Sequence, residues 1–254
     1  MKRLSLEDVS IKYPGSTDFA VQNINFSLEK GEIVGLLGHN GAGKTTTLEC
    51  LAGLIQPTEG IRKNGLEKTN GKIIYIPADM YMYNMLTVEE TLLFVGRLHG
   101  LSKKEILRDR DYLLSTFNLR EQQHVYTKNL SFGMKNKLAL ITGVLANPQV
   151  LMLDEPMTGF DALSTRQTKD FLLKFMNDSE KTILLSSHRL DIIEDICQRI
   201  LVINKGQLVF EGSVSTLKEQ QSINSSLEAA LLQLTQHPDV QQNEDPEVLQ
   251  KRFN

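Results

Sequence analysis

Several absences narrow the reading of this 254-residue chain before any motif is considered. Only two cysteines occur, Cys50 and Cys197, and neither stands in a CxxC or other metal-ligand spacing. That pattern speaks for buried structural thiols over a redox or zinc role, and it suits a reducing compartment. Apolar runs such as VLML before Asp154 and ILLSS from Ile183 fall far short of the roughly 20 residues that cross a bilayer, so no membrane span is expected. The opening MKRLSLEDVSIKYPG alternates apolar and polar residues and lacks the apolar core of a signal peptide. The chain is therefore expected to stay in the cytoplasm. An excess of basic charge is missing too: 28 Lys and Arg stand against 31 Asp and Glu, for a net charge of -3. A sequence-independent grip on a phosphate backbone needs a basic surface, so no nucleic-acid partner is expected. No internal repeat and no sustained heptads appear.

What is present is an ordinary globular composition, 41% hydrophobic and 23% charged, long enough to bury a sizeable core. Alternating segments at Leu4 to Ile11 and Ile24 to Leu28 suit antiparallel strands with one wet face. EIVGLL then leads through a glycine-rich loop into TTTLECLAGL, where Leu48, Leu51, Ala52 and Ile55 recur at helical spacing. Buried-type strands are expected at KIIYI (72–76), VLML (150–153) and TILLSS (182–187), with helical patterns between them. This is the grammar of a mostly parallel α/β sheet.

The stretch between Ile76 and Val150 reads as helical. Thr87-Val-Glu-Glu90 and Ser102-Lys-Lys-Glu105 each fit a capping box, which predicts two helix starts. Met134, Leu138, Ile141 and Leu145 follow one apolar stripe and predict a third helix. Residues 80–147 are thus expected to form an inserted helical subdomain, with 1–79 and 148–212 as the α/β core. Residues 213–254 remain as a C-terminal helix around Leu227, Leu231 and Leu234, followed by a mobile polar tail.

GHNGAGKT, residues 38–45, matches G-x-x-x-x-G-K-[ST] between an apolar strand and a helix. Glycines let successive N–H groups turn inward around an anion, the helix start adds a favourable dipole, and the lysine adds a full charge. ATP or GTP phosphates are the expected occupant. Lys44 is expected to reach the β- and γ-phosphates and Thr45 to place its hydroxyl on Mg²⁺. VLMLDE, residues 150–155, ends an apolar strand in two carboxylates. Strand alternation is expected to point Asp154 and Glu155 apart, one toward magnesium and one toward the attacking water.

With these motifs the sequence resembles the ABC ATPase family from Leu4 to about Thr235, with the family's motifs in the family's order. LSFGM at 130–134 resembles the signature LSGGQ, TGFD at 158–161 the D-loop, and SSH at 186–188 the switch histidine. The resemblance implies a phosphate-loop ATPase core sheet with an antiparallel β layer and an inserted helical subdomain. It implies that Tyr13 stacks on adenine and that Gly38, His39, Asn40, Gly41, Ala42, Gly43, Lys44, Thr45 and Thr46 hold the phosphates. Thr45 and Asp154 would serve the metal, and Glu155, His188 and Lys44 the chemistry. Ser131, Gly133 and Asp161 would meet a nucleotide across a head-to-tail pair of like or related subunits. The partners implied are a second ABC ATPase subunit and integral membrane transporter subunits on the inner face of the membrane. The cofactors implied are ATP and Mg²⁺, and a tail around SLEAALLQLT resembles those of bacterial exporter ATPases.

Bland readings stand beside these. Tyr13 can plug a strand end, His188 can be structural, and Asp161 can simply cap ALSTRQ. The rings of His39, His99, His124 and His237 show no ligand or triad spacing. Two departures from the family pattern matter: Ala78 stands in YIPAD where the family has Gln or Glu, and Phe132 replaces a signature glycine. Alanine binds no metal and orients no water, so either Asp79 or solvent fills that place. MYMYNM, residues 80–85, fits neither helix nor strand period and suits either core filling or a grip on a partner helix. The alternatives to a transporter subunit are a nucleic-acid- or ribosome-associated ABC ATPase and a nucleotide-binding regulator that no longer hydrolyses.

Overall fold

The computed structural model describes residues 2–67, 71–178, 180–220 and 226–235. Alternation along the first two segments produces β1 (Lys2–Ile11) and β2 (Val21–Glu29), paired antiparallel, with β4 (Glu59–Asn64) on the other side of β1. β2 keeps the expected alternation, burying Val21, Ile24, Phe26 and Leu28. β1 does not, because Arg3, Ser5 and Ser10 are buried along with Leu4, Leu6, Val9 and Ile11. The strand is central in its sheet, and Arg3 is held by the Glu180 carboxylate at 2.7 Å and its carbonyl at 3.0 Å, so the polar face is covered too.

The second sheet has six strands in the order β5-β6-β7-β3-β8-β9. These are β3 (Ile33–Leu37), β5 (Ile73–Ile76), β6 (Val150–Asp154), β7 (Thr182–Ser186), β8 (Arg199–Asn204) and β9 (Gln207–Gly212). All neighbours are parallel except the final β8-β9 hairpin. β3, β6 and β7 are buried at every position, which is why they read as unbroken apolar runs. The two sheets share a core with α1 (Lys44–Ala52): Leu4, Leu6, Ile24 and Leu28 from the small sheet meet Leu48 and Leu51, with Val34, Leu36, Val150 and Met152 from the large one. α1 stops at Gly53, whose φ of 83° suits a left-handed cap, so Ile55 lies beyond the helix that its spacing suggested.

α2 (Val88–Leu98), α3 (Lys103–Thr116) and α4 (Phe132–Leu145) lie between β5 and β6. Both capping boxes form: Glu90 N–H donates to Thr87 Oγ1 at 3.2 Å and Glu105 N–H to Ser102 Oγ at 3.3 Å, with each glutamate reaching back. Those hydrogen bonds hold both carboxyl groups below the ordinary glutamate range. α4 is more than a stripe, because residues 138–145 are buried all round. Packing on α2, α3 and β5 leaves that half of the helix no wet side.

α5 (Ala162–Phe175) and α6 (Leu190–Ile196) complete the first compact unit, which runs to Ser213. The second unit begins at Val214 and holds α7 (Val214–Gln220) and α8 (Leu227–Thr235), the latter carrying the expected leucines. The polar tail after it, with His237, lies outside the described residues. Burial raises both thiols, Cys197 to about 12, so neither is a thiolate at neutral pH. Among the described residues no helix is long and apolar enough to cross a membrane.

Candidate functional site

Three chain segments converge where parallel strands end at their C-terminal edge, the usual place for a ligand in an open α/β sheet. The first is the loop from β3 into α1. Gly43 is the N-cap of α1 with φ 107°, and a Cβ there would lie 2.7 Å from Val21 Cγ1 and 2.9 Å from the Ala20 carbonyl, so both dihedral and space require glycine. No side chain caps the helix, which leaves its first N–H groups free for an anion. Lys44 is buried and folds back over the loop, donating to the carbonyls of Gly38 at 2.7 Å and His39 at 3.2 Å. His39 contributes backbone only, and its ring Nδ1 sits 2.7 Å from the Asn40 carbonyl. Ala42 is wholly buried.

The second segment is the end of β6. Asp154 is buried and its Oδ2 accepts from Thr45 Oγ1 at 2.7 Å and from the Tyr75 hydroxyl at 3.4 Å. Its Oδ1 accepts from Ser186 Oγ. Burial, reinforced by the Asp154 charge, raises Tyr75 well above the ordinary phenol range, so it stays a donor. Glu155 corrects the expectation of strand alternation. Its φ is 49° and the strand ends at Asp154, so Glu155 is a left-handed residue of the following turn and strand alternation does not set its direction.

The third segment follows β7. His188 Nδ1 lies 2.8 Å from Glu155 Oε2, and the His188 backbone N–H donates to the same oxygen at 3.3 Å. A carboxylate only accepts, so Nδ1 carries the proton in this contact.

A cavity of about 270 Å³ joins the first two segments, lined by Ala20, Asn40, Gly41, Gly43, Lys44, Thr45, Thr46, Ala78, Asp154 and Glu155, whereas His188 is not in its lining and reaches it only through Glu155. A larger one of about 470 Å³, with Tyr112, Phe171 and Phe175 in its wall, carries none of them. Ala78 faces the smaller cavity and Asp79 is not in its lining. Tyr13 is half-exposed, with its hydroxyl 3.1 Å from Thr46 Oγ1, so it does not plug the core. Ser131 caps α4 through Met134 N–H at 3.3 Å, and Asp161 caps α5 through Ser164 N–H at 2.7 Å. That bond holds the Asp161 carboxyl below its usual range. Ser131, Gly133 and Asp161 are absent from the cavity lining. Ala20, Tyr75 and Ser186 are site residues that the motif reading passes over, although YIPA and SSH contain two of them.

The chain's likeness to known proteins follows these elements. A family model described as "ABC transporter" matches residues 21–158, which takes in the phosphate loop, LSFGM and Asp154-Glu155 but neither Tyr13 nor His188. An uncharacterized ABC transporter ATP-binding protein of Methanocaldococcus jannaschii is 37% identical over 215 residues, 85% of this chain and 79% of that protein. ABC transporter ATP-binding protein NatA of Bacillus subtilis is 31% identical over 210 residues, 80% of this chain and 85% of that one. Among solved structures, one described as an ATP binding subunit of an ABC transporter superposes with a TM-score of 0.81 at 30% identity, over 92% of this chain and all of that one. A dimeric ATP-binding cassette bound to ADP and Pi shares the fold at a TM-score of 0.73 and 22% identity, over 83% of this chain and 98% of that one.

Proposed function

This chain belongs to the ABC transporter ATP-binding protein family, and from that premise we propose that it hydrolyses ATP in a pair of such subunits to drive integral membrane partners, as an exporter does. It is an ABC-type ATPase, and the observation that supports the rest is one cavity lined by a lysine ammonium, a helix start, Thr45, Asp154 and Glu155. The N–H groups of Gly41 and of Gly43 to Thr46 and the Lys44 ammonium bind the phosphates, while the Ala42 N–H is engaged by the His39 carbonyl at 3.1 Å. The hydroxyl of Thr45 and the carboxylate of Asp154 are hard oxygen donors 2.7 Å apart and fit Mg²⁺, which would neutralise phosphate charge there. Glu155 takes the proton of the attacking water, and His188 holds that carboxylate in place through its backbone N–H and Nδ1. Tyr13, half-exposed and tied by its hydroxyl to Thr46 beside the cavity, is assigned to adenine.

Ser131, Gly133 and Asp161 stand at helix starts outside this cavity, and we assign them to the nucleotide of a second subunit, identical or related. ATP then cross-links the pair, and its hydrolysis releases it. In this reading 1–79 and 148–212 form the nucleotide-binding core, 80–147 the signature subdomain and 213–254 a C-terminal extension. Tyr81, Met82 and Tyr83 suit the grip on the membrane subunit, because Tyr81 is 96% exposed and Tyr83 58%. The subunit would then work from the cytoplasmic face. Phosphate release from MgATP tests the proposal: steady turnover is expected. Binding without release, even beside the membrane partner, would favour the regulator reading, for which Ala78 is the observation.

A further inference from the structure

A hydroxyl without an assigned role lies between the two carboxylate residues. Ser186 ends β7, is fully buried and pairs with Asp154 in the parallel register of β6 and β7. Its Oγ donates to Asp154 Oδ1 and accepts from Glu155 N–H at 3.0 Å. Chemistry fixes this polarity, since an ionised carboxylate only accepts, a backbone N–H only donates, and a hydroxyl has one proton to give. With Oδ1 engaged, Asp154 turns Oδ2 to the Thr45 hydroxyl at the cavity wall. On its other side the same oxygen ties down the N–H of Glu155, whose φ of 49° is a left-handed conformation that residues bearing a Cβ disfavour.

We propose that Ser186 is a positioning residue for both halves of the site: its hydroxyl aligns the Asp154 carboxylate toward the metal and holds the backbone turn that aims Glu155. The inference rests on the roles given above to Asp154 and Glu155. Groups in this relation to a metal ligand commonly set metal affinity and rate without touching substrate. A serine present only to satisfy buried polar atoms would change melting temperature and leave the metal requirement alone.

The test compares the parent chain with Ser186→Ala and Ser186→Thr in three assays: ATP binding in EDTA, Mg²⁺ titration of ATP binding, and steady-state phosphate release. Ser186→Ala is expected to bind ATP in EDTA within about twofold of the parent, to need roughly tenfold more Mg²⁺ for half-saturation, and to lose about 10- to 100-fold in kcat. Ser186→Thr keeps the hydroxyl and is expected to recover most of both. If its added methyl unfolds the strand, as circular dichroism would reveal, the Mg²⁺ titration of Ser186→Ala alone decides. A parental Mg²⁺ requirement and a kcat within about twofold in Ser186→Ala overturn the proposal whatever the melting temperature. So does an equal loss of binding with and without Mg²⁺. A parent chain that binds MgATP and releases no phosphate would defeat the hydrolytic reading instead, and the Mg²⁺ titration would still decide on Ser186.

Discussion

Replacing Glu155 by Gln isolates the proposed base from everything else at the site. The amide has the same size and keeps a carbonyl oxygen to accept from the His188 N–H and Nδ1, the two contacts Glu155 Oε2 makes. With the side chain only 19% exposed but its partners retained, the cost to folding is expected to stay below about 1 kcal/mol. An amide takes no proton from water, so turnover is expected to fall about 10²- to 10⁴-fold. ATP stabilises the pair only by its differential affinity for it, and a hundredfold preference over the single subunit is worth about 2.7 kcal/mol per site, or about 5.4 kcal/mol for two sites. That is roughly 10⁴ in the dimerisation constant, retained in the variant because the ligand is not consumed. Light scattering with MgATP is then expected to report twice the 28.6 kDa chain mass for the variant, and the single mass with MgADP. A monomeric variant at saturating MgATP would refute either the base or the head-to-tail pair, and undiminished phosphate release would refute the base alone.

Two further outcomes follow from the same geometry. Because Ala78 lines the cavity and Asp79 does not, solvent is expected to complete the metal shell: Asp79→Ala should leave turnover within about twofold and Ala78→Gln should change it by less than about tenfold, roughly 1.4 kcal/mol of barrier. A large fall in Asp79→Ala with weakened Mg²⁺ dependence would instead recruit Asp79. Polar substitutions at the exposed Tyr81 are expected to cost within about 0.5 kcal/mol of stability, and at Tyr83, whose ring packs edge-on against Phe94 at 5.0 Å, about 0.5–1.5 kcal/mol more, both leaving soluble ATPase activity intact while uncoupling the membrane subunit; a collapse of the thermal melt would place the segment in the core.

The elements legible from sequence are those in which a local rule and the tertiary structure agree. Both capping boxes read correctly because their partners are three residues apart and need nothing distant. β3, β6 and β7 read correctly because burial on both faces leaves an unbroken apolar run. β4 is missed because GIRKN is polar and largely exposed, and it becomes a strand only through pairing with β1. The β8-β9 hairpin is missed although Lys205-Gly206 between ILVI and LVF carries its signal, both residues having positive φ. At the site, the phosphate loop and the paired acids are legible as motifs. The contacts that orient them are not, since Thr45 meets Asp154 across 109 residues and Ser186 meets it across 32.

The two departures from the family pattern fall where this fold can absorb them, for different reasons. At position 78 a small side chain leaves space in a wall open to solvent, and the polar atoms nearby are satisfied by hydroxyls from Thr45, Tyr75 and Ser186 rather than by the missing residue. At position 132 a large one is accommodated because Phe132 remains half-exposed and lays its ring on Gly159, where a Cβ would lie 2.8 Å from the ring carbon Cδ1. Gly159 has φ 79°, so its glycine is required twice, by the backbone and by the ring. Gly133 approaches the Gly159 carbonyl so closely that a Cβ there would lie 2.7 Å away, and Asn136 Nδ2 donates to the Thr158 carbonyl at 2.8 Å. The start of α4 is thereby interlocked with the loop that follows Glu155. Phe132 thus adds contact between the start of α4 and that loop while leaving the cap by Ser131 on Met134 N–H in place.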